Sequence, residues 1–253
     1  MALPGLRTGF HHAWLPDLSV RTDEPELLDG PVQDQAELAA NLRDIRRVNL
    51  LLGGITTSLR HLTRLFAAIP ADQPITLLDL ATGSADIPLA IAHWAECHGR
   101  SVRIVASDVD QAILDLARMH TDANPAIELA RYDARAVPLP DKSLDIVHCA
   151  LALHHFAPDD AVAVLREMDR LARIGFVLND LRRSRLGWAA AQLMTHLTTR
   201  NRLTRNDAPL SVRRAYTPAE LNDLLQRAEV NGASISRHLW FRMAAVRGPD
   251  GRS

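Results

Sequence analysis

The residues in this chain that could do chemistry are acids spaced one per apolar run. Asp79 opens the stretch Asp79-Leu-Ala-Thr-Gly-Ser-Ala-Asp86, where the small residues Ala81, Gly83 and Ala85 let the backbone pass close to a ligand at a helix N-terminus. Asp108 ends the next apolar run, 25 residues past Gly83. A carboxylate placed there can accept hydrogen bonds from both hydroxyls of a ribose. Asp133, in Tyr132-Asp-Ala134, follows the third run and can accept from an exocyclic adenine amine. Three acids beyond three consecutive strands describe an adenosine site. A dinucleotide would require glycine at all three fingerprint positions, and here two are alanine. Asp79 and Asp86 would also repel a pyrophosphate but suit a cationic sulfonium or amino group, which favours S-adenosylmethionine over NAD. Asp86, near a helix start, reads equally well as a cap.

Beyond the later runs stand candidates for proton transfer. A phenol with a pKa near 10 is only about one part in a thousand ionised at pH 7, so a positioned base helps any attack by its oxygen. His154 and His155 follow the fourth run and Asp180 the fifth, which makes these three the candidate catalytic residues. Metal-assisted transfer would need acids after both the fourth and fifth runs. The fourth supplies none, so no metal is expected. His196, beside Met194, is a candidate pocket wall. Arg213 and Tyr216 can bond a carbonyl or carboxylate of an acceptor, or pair with the acidic N-terminal region. Cys149 lies mid-strand, where a small core residue belongs.

The elements that would position these groups alternate. Apolar residues at three- and four-residue spacing from Leu38 to Leu52 and from Leu59 to Ile69 predict two helices, punctuated by Gly53-Gly54 and stopped by Pro70. Strands are expected at 75–80, 102–107, 126–131, 144–151 and 174–179, with helices at 84–97, 111–120 and 159–173 between them. That alternation predicts an α/β fold with a doubly wound, mostly parallel sheet. A further helix is expected at 187–199 and another after Thr217-Pro-Ala-Glu220, which has the residue order of a capping box. Two neighbouring strands, 233–239 and 240–246, predict an antiparallel edge hairpin. Periodicity assigns no element to the segment from Arg205 to Tyr216. The expected division is an N-terminal arm at 1–33, a helical cap at 34–73 and the main domain at 74–253. The cap would cover the carboxyl edge of the sheet, with Leu50, Leu51, Ile55 and Leu59 lining it.

Composition narrows the function classes. The chain has 253 residues, of which 47% are apolar and 23% charged, with a formal charge of −1. This excludes a disordered, collagen-like or disulfide-scaffold protein. No apolar run approaches the ~18 residues of a membrane span. His11, His12, Pro16 and Asp17 interrupt the place a signal peptide's apolar core would take, and Cys97 and Cys149 are too few for a secreted framework, so a cytoplasmic location is expected. From Asp17 to Glu37 there are seven acids against Arg21, and from Arg182 to Arg214 eight arginines against Asp207. The arginines are expected either to pair internally or to meet an anionic ligand. They lack the interleaved aromatics of single-strand binders, so nucleic acid is not the expected partner.

The motifs, in this order and spacing, resemble those of the class I S-adenosylmethionine-dependent methyltransferases. Leu77-Leu-Asp-Leu-Ala-Thr-Gly-Ser-Ala85 resembles the family's first motif, with two glycines replaced by alanine. Ser107-Asp-Val-Asp110 resembles the second motif, Tyr132-Asp-Ala134 with Val137-Pro-Leu-Pro-Asp141 the third, and Leu144 to Phe156 the fourth-strand motif of the small-molecule branch. The helical cap and Asn179-Asp-Leu-Arg-Arg183 resemble a polyketide or phenol O-methylating subgroup. The resemblance implies a strand order of 3-2-1-4-5-7-6. It implies that Asp108 holds the ribose, Asp133 the adenine, and Asp79 with Gly83 the methionine end. Ala81, Thr82, Val109, Ala134 and Cys149 would also line the cofactor site. The implied activity is methyl transfer to a small organic acceptor, a phenolic or enolic hydroxyl of a natural product first. Carbon, nitrogen or RNA methylation and a non-catalytic adenosyl-ligand-binding protein are the alternatives. An exposed face on the first helices would allow a homodimer.

Overall fold

The computed structural model describes residues 16–30 and 34–249; of the arm expected at 1–33, residues 1–15 and 31–33 lie outside this description. Seven strands form one sheet: β1 (Ile75–Leu80), β2 (Val102–Asp108), β3 (Ile127–Arg131), β4 (Leu144–Ala150), β5 (Ala172–Leu181), β6 (Ala233–His238) and β7 (Arg242–Arg247). Their order is β3-β2-β1-β4-β5-β7-β6, with β7 antiparallel to both β5 and β6 and the remaining pairs parallel. The expected fold class, strand order and edge hairpin are all present. β1, β4 and β5 read as near-continuous apolar runs because both of their faces are covered.

Eight helices are described: α1 (Gln35–Leu51), α2 (Gly54–Phe66), α3 (Asp86–Cys97), α4 (Gln111–Thr121), α5 (Pro158–Leu171), α6 (Arg185–Thr198), α7 (Arg202–Arg214) and α8 (Pro218–Arg227). One face of the sheet packs on α5 and α8 through Leu165, Met168, Leu221 and Leu224. The other packs on α2 and α3 through Leu62, Leu65, Phe66 and Ile91, which share one core with Ile75, Leu77 and Ile146. α2 is therefore a wall of the sheet domain itself, so the boundary drawn at residue 73 cuts through a single core. Leu50 and Leu51, expected to line a pocket, are 64% and 70% exposed, while Ile55 and Leu59 pack partly against the α2–α3 core. α8 begins with the expected capping box: Thr217 Oγ1 accepts from the Glu220 N–H, and a Glu220 carboxylate oxygen accepts from the Thr217 N–H.

α7 is the element that periodicity missed. It holds Pro209 in its interior, which removes one helical hydrogen bond and ordinarily argues against a helix. Its inner face also mixes Leu203, Leu210 and Val212 with buried Asp207 and Arg214, so no apolar stripe marks it. Those charged groups are met by the arm. Asp207 accepts from the Leu27 and Leu28 N–H groups, and Arg214 pairs with Asp29. Arg213 pairs with Glu24, and Arg202 with Glu37 at the start of α1. Of the two readings open for the arginine-rich stretch, internal pairing with the acidic N-terminal region is the one the structure supports. Among the described residues, no helix is long and apolar enough to cross a membrane.

The β6 edge is joined to α2 by two histidines, His61 and His238, whose Nε2 atoms are 3.0 Å apart, one ring's N–H donating to the other's bare nitrogen. Burial, together with His238 and the neighbouring Arg64 and Arg60, lowers the pKa of His61 from 6.5 to about 4. The folded state thus refuses a proton that the unfolded chain accepts, so stability present above pH 6.5 is lost as the pH falls toward 4. Thermal melts at pH 7 and pH 4.5 should show a smaller acid-induced drop in Tm for His61→Gln than for the parent. Equal drops would rule out this linkage.

Candidate active site

The carboxyl ends of β1, β2, β4 and β5 converge on one edge, where ligands bind in sheets of this topology. The loop after β1 turns sharply. Ala81, Gly83 and Ala85 all take left-handed φ angles, of 52°, 56° and 57°. For the two alanines this conformation costs on the order of 1 kcal/mol each, so they hold glycine's backbone shape without its freedom. A Cβ built on Gly83 meets no atom within 4 Å, so the loop faces open space there. Asp108, at the end of β2, steadies the turn: its Oδ2 accepts from the Gly83 N–H at 3.2 Å and its Oδ1 from the Asp110 N–H at 3.1 Å. Burial raises its pKa, partly offset by these backbone donors.

Beneath the loop runs a buried chain of hydrogen bonds. The parallel register sets His148 of β4 opposite Asp79 of β1. His148 Nδ1 lies 2.5 Å from Asp79 Oδ1, and its Nε2 lies 2.8 Å from Ser58 Oγ on α2. Asn179 Nδ2 donates to Ser58 Oγ and to the Gly54 carbonyl, at 3.0 and 2.9 Å. One direction is consistent along the chain: Asn179 donates to Ser58, Ser58 to His148 and His148 to Asp79, while Asn179 Oδ1 is buried without a partner. Sequence reading passed over His148, Ser58 and Asn179. His148 could be flagged as a polar residue within the apolar run of β4, but only the register shows its partner. Nearby, the fully buried Arg242 donates to the Leu52 carbonyl and to Asn49 Oδ1, locking the α1–α2 turn. Burial lowers its pKa to about 10, while Asp180 and Asp86 oppose that.

A second cluster lies past the end of β4. Asp180, fully buried in β5, accepts from the His154 backbone N–H at 2.9 Å, and its Oδ1 lies 2.7 Å from His154 Nδ1. Against the penalty of burial, His154 and the backbone donors hold Asp180 below the usual carboxylate range. This fixes the His154 tautomer with its proton on Nδ1 and its lone pair on Nε2. His155 Nδ1 lies 2.6 Å from Asp29 of the arm. The structure thus brings His154, His155 and Asp180 together.

The other candidates sort by contact. Cys149 is fully buried in the core and its thiol pKa is pushed well up by burial, so its side chain is a packing group with no face toward a ligand. Ala134 is buried and Val109 exposed; the Val109 carbonyl accepts from Arg131. The Asp133 carboxylate is engaged by Arg135 at 2.7 Å, which lowers its pKa. His196 was expected to line a pocket, but it lies on the exposed side of α6 with Nδ1 on its own helix's Gln192 carbonyl. Arg213 and Tyr216 are both engaged with other parts of the chain, although Arg213 Nε is buried without a partner. Arg213 pairs with Glu24. Tyr216 is buried, its hydroxyl donating to the Phe156 carbonyl and the Arg21 guanidinium lying 5.0 Å from its ring centre. Both serve the arm's attachment. Asp86 starts α3 as a buried group: Oδ1 accepts from Ser84 Oγ, while Oδ2 has no partner. Thr82 Oγ1 is likewise buried without one.

These orphaned acceptors beside an open turn fit a ligand carrying ammonium and hydroxyl donors. With Asp79, Asp86 and Asp108 at the same edge, they fit a sulfonium amino acid joined to a ribose better than any pyrophosphate. Comparison with known proteins agrees. Residues 77–175 match the family described as "Methyltransferase domain". The chain is 36% identical over 133 residues to a ubiquinone/menaquinone biosynthesis C-methyltransferase of Acidiphilium cryptum, the match covering 51% of each chain. It is 31% identical over 100 residues to a demethylmenaquinone methyltransferase of Bacillus licheniformis, covering 40% of this chain and 41% of that one. The chain thus spans about half, or less, of the curated relatives it matches. In fold it is similar to a SAM-dependent methyltransferase from Aquifex aeolicus, with a TM-score of 0.54, 14% identity and 82% and 96% of the two chains covered. It is also similar to the CMeT domain of the citrinin polyketide synthase, with a TM-score of 0.57, 12% identity and 73% and 49% covered.

Two outcomes test this site. Asp108→Ala should abolish calorimetric binding of S-adenosylhomocysteine while the protein still melts cooperatively; unchanged affinity would remove Asp108 from the site. Ala81→Gly should raise stability by up to about 1 kcal/mol in urea unfolding, because it releases left-handed strain. A loss of stability there would show that the loop is unstrained.

Proposed function

We propose that this chain, whose residues 77–175 match a methyltransferase-domain family, is a class I S-adenosyl-L-methionine-dependent methyltransferase that transfers a methyl group to a small phenolic or enolic acceptor, with His154 as the base. When bound, the cofactor supplies a methyl group activated on a sulfonium centre. Thr82, Gly83 and Asp86 would hold its amino-acid end, Asp79 would supply charge from below the loop, and Asp108 would hold its ribose. The observation that carries the acid–base assignment is the buried His154–Asp180 pair at the carboxyl edge. Asp180 keeps the proton on Nδ1 and leaves Nε2 bare to take one from an acceptor hydroxyl. It also stabilises the imidazolium that forms. Orientation supplies most of the remaining rate, because the two reacting atoms must line up.

A second reading concerns the acceptor atom. Of the relatives named above, that of Acidiphilium cryptum is a ubiquinone/menaquinone biosynthesis C-methyltransferase and that of Bacillus licheniformis a demethylmenaquinone methyltransferase. A phenolate carries its charge on the ring carbons beside the oxygen as well as on the oxygen itself, so the same base serves both outcomes. Oxygen is the acceptor atom the sequence motifs favour, and carbon the one favoured by the name of the Acidiphilium cryptum relative.

The test is turnover with a panel of phenols and hydroxylated quinols, the products distinguished as methyl ether or ring methyl by NMR. His154→Asn should lower kcat by roughly 10²- to 10⁴-fold with little change in KM or in S-adenosylhomocysteine binding. The deficit should shrink for acceptors acidic enough to ionise unaided. Wild-type kcat in this variant would place the base elsewhere, and tight S-adenosylhomocysteine binding with no turnover on any acceptor would favour a non-catalytic role.

A further inference from the structure

Glu26, on the arm, sits over the two histidines. His154 Nε2 is 3.8 Å from Glu26 Oε1, and His155 Nε2 is 3.9 Å from Glu26 Oε2. Both distances are too long for hydrogen bonds. The opposite nitrogen of each ring is already committed to a carboxylate: His154 Nδ1 to Asp180 and His155 Nδ1 to Asp29. A ring that donates Nδ1–H in this way carries its lone pair on Nε2. The Nε2 atoms of the two rings and the Glu26 carboxyl group therefore face one another with no hydrogen bond between them. Glu26 Oε1 is buried with no hydrogen-bond partner at all. One donor atom from each residue can be chosen so that all three lie within 4.8 Å of one another. An ion some 2.0–2.2 Å from nitrogen and oxygen donors would need the three to draw slightly closer together.

We propose that Glu26, His154 and His155 bind a single divalent transition-metal ion, Zn²⁺ by donor type. Two imidazoles and one carboxylate are a borderline donor set that favours Zn²⁺ over the oxygen-seeking Mg²⁺ and Ca²⁺. The outer shell is already built. Asp180 and Asp29 orient the rings, and Ser211 Oγ donates to Glu26 Oε2 at 3.0 Å. Arg214 is the cation nearest the carboxylate, with Nε 3.9 Å from Oε1, and its donors go to Asp29 and to the carbonyls of His154 and His155. The ion would clamp the arm onto the turn after β4. It would also take the Nε2 lone pair that proton acceptance by His154 needs, so ion binding and turnover exclude each other. That consequence, unlike the binding itself, rests on the function proposed above.

The test uses the full chain without a purification tag, stripped with a chelator and then dialysed. Cys97→Ser serves as background because Cys97 Sγ and His93 Nε2, 3.6 Å apart on α3, offer Zn²⁺ another place to attach. Calorimetric titration with Zn²⁺ should show one equivalent bound, and Co²⁺ should give the visible absorption of a nitrogen- and oxygen-ligated ion. Glu26→Gln and His155→Asn should each weaken binding by more than about 100-fold, and Asp29→Asn by roughly 10-fold through loss of ring orientation. His155 is partly exposed, so its variant should fold, as a cooperative melt would verify. No binding, or binding that survives both ligand variants, overturns the site. If Zn²⁺ binds as expected and turnover is undiminished, the site stands and the assignment of His154 as base falls.

Discussion

A carboxylate buried at the end of a strand must be given donors, and much of this molecule is arranged to supply them. Asp79, Asp108 and Asp180 end or nearly end β1, β2 and β5, and all three are buried. Removing the partner of a buried charge typically costs 3–5 kcal/mol, several times the worth of an exposed ion pair. Each acid is satisfied differently: Asp79 by a histidine on the neighbouring strand, Asp108 by the backbone of the turn it steadies, and Asp180 by the side chain and backbone of His154. These partners come from β4, whose His148 is itself bonded to Ser58 of α2, from the β1–α3 loop with the turn after β2, and from the turn after β4. The three acids thereby tie the helical wall, the cofactor loop and the candidate base to one edge of the sheet.

The arm extends the same logic outward. Its acids meet α7, and Arg21 donates to the carbonyls of His154 and Phe156, over the turn that carries the candidate base. Exposed pairs such as Arg213–Glu24 add little to stability but help set the register of arm against helix. The buried groups decide its position: Glu26, Asp207, Arg183 and Arg214, each at most about 5% exposed. Arg183 spans the junction, donating to the Leu18 carbonyl of the arm, to the Ala215 carbonyl and to Glu220 of α8. Tyr216 and Arg213, which looked like acceptor contacts, are consumed in this attachment.

Sequence patterns carried the sheet almost completely. β1 runs over the expected 75–80, and the other strand bounds shift by at most two residues, because apolar runs and glycine–proline punctuation are local signals. The capping box of α8 was equally legible. α7 was not, since its inner face is charged and its proline argues against a helix; the partners that make those charges tolerable lie far away in the chain. Among site residues, the acids after β1, β2 and β5 were legible from their place after each apolar run. Their partners were not.

By itself, then, the sequence determined the fold class, the order of the elements, the turn of small residues and the acids at the strand ends. All of these follow from residue type and from periods of two or about 3.6, which a chain carries locally. Only the tertiary structure decided that His148 meets Asp79, that Asp180 orients His154, that Glu26 of the arm comes to face two imidazoles, and that His196 faces solvent. Those facts depend on strand register and on segments brought together from distant parts of the chain. Both are set by the packing of the whole core, and no local spacing encodes them.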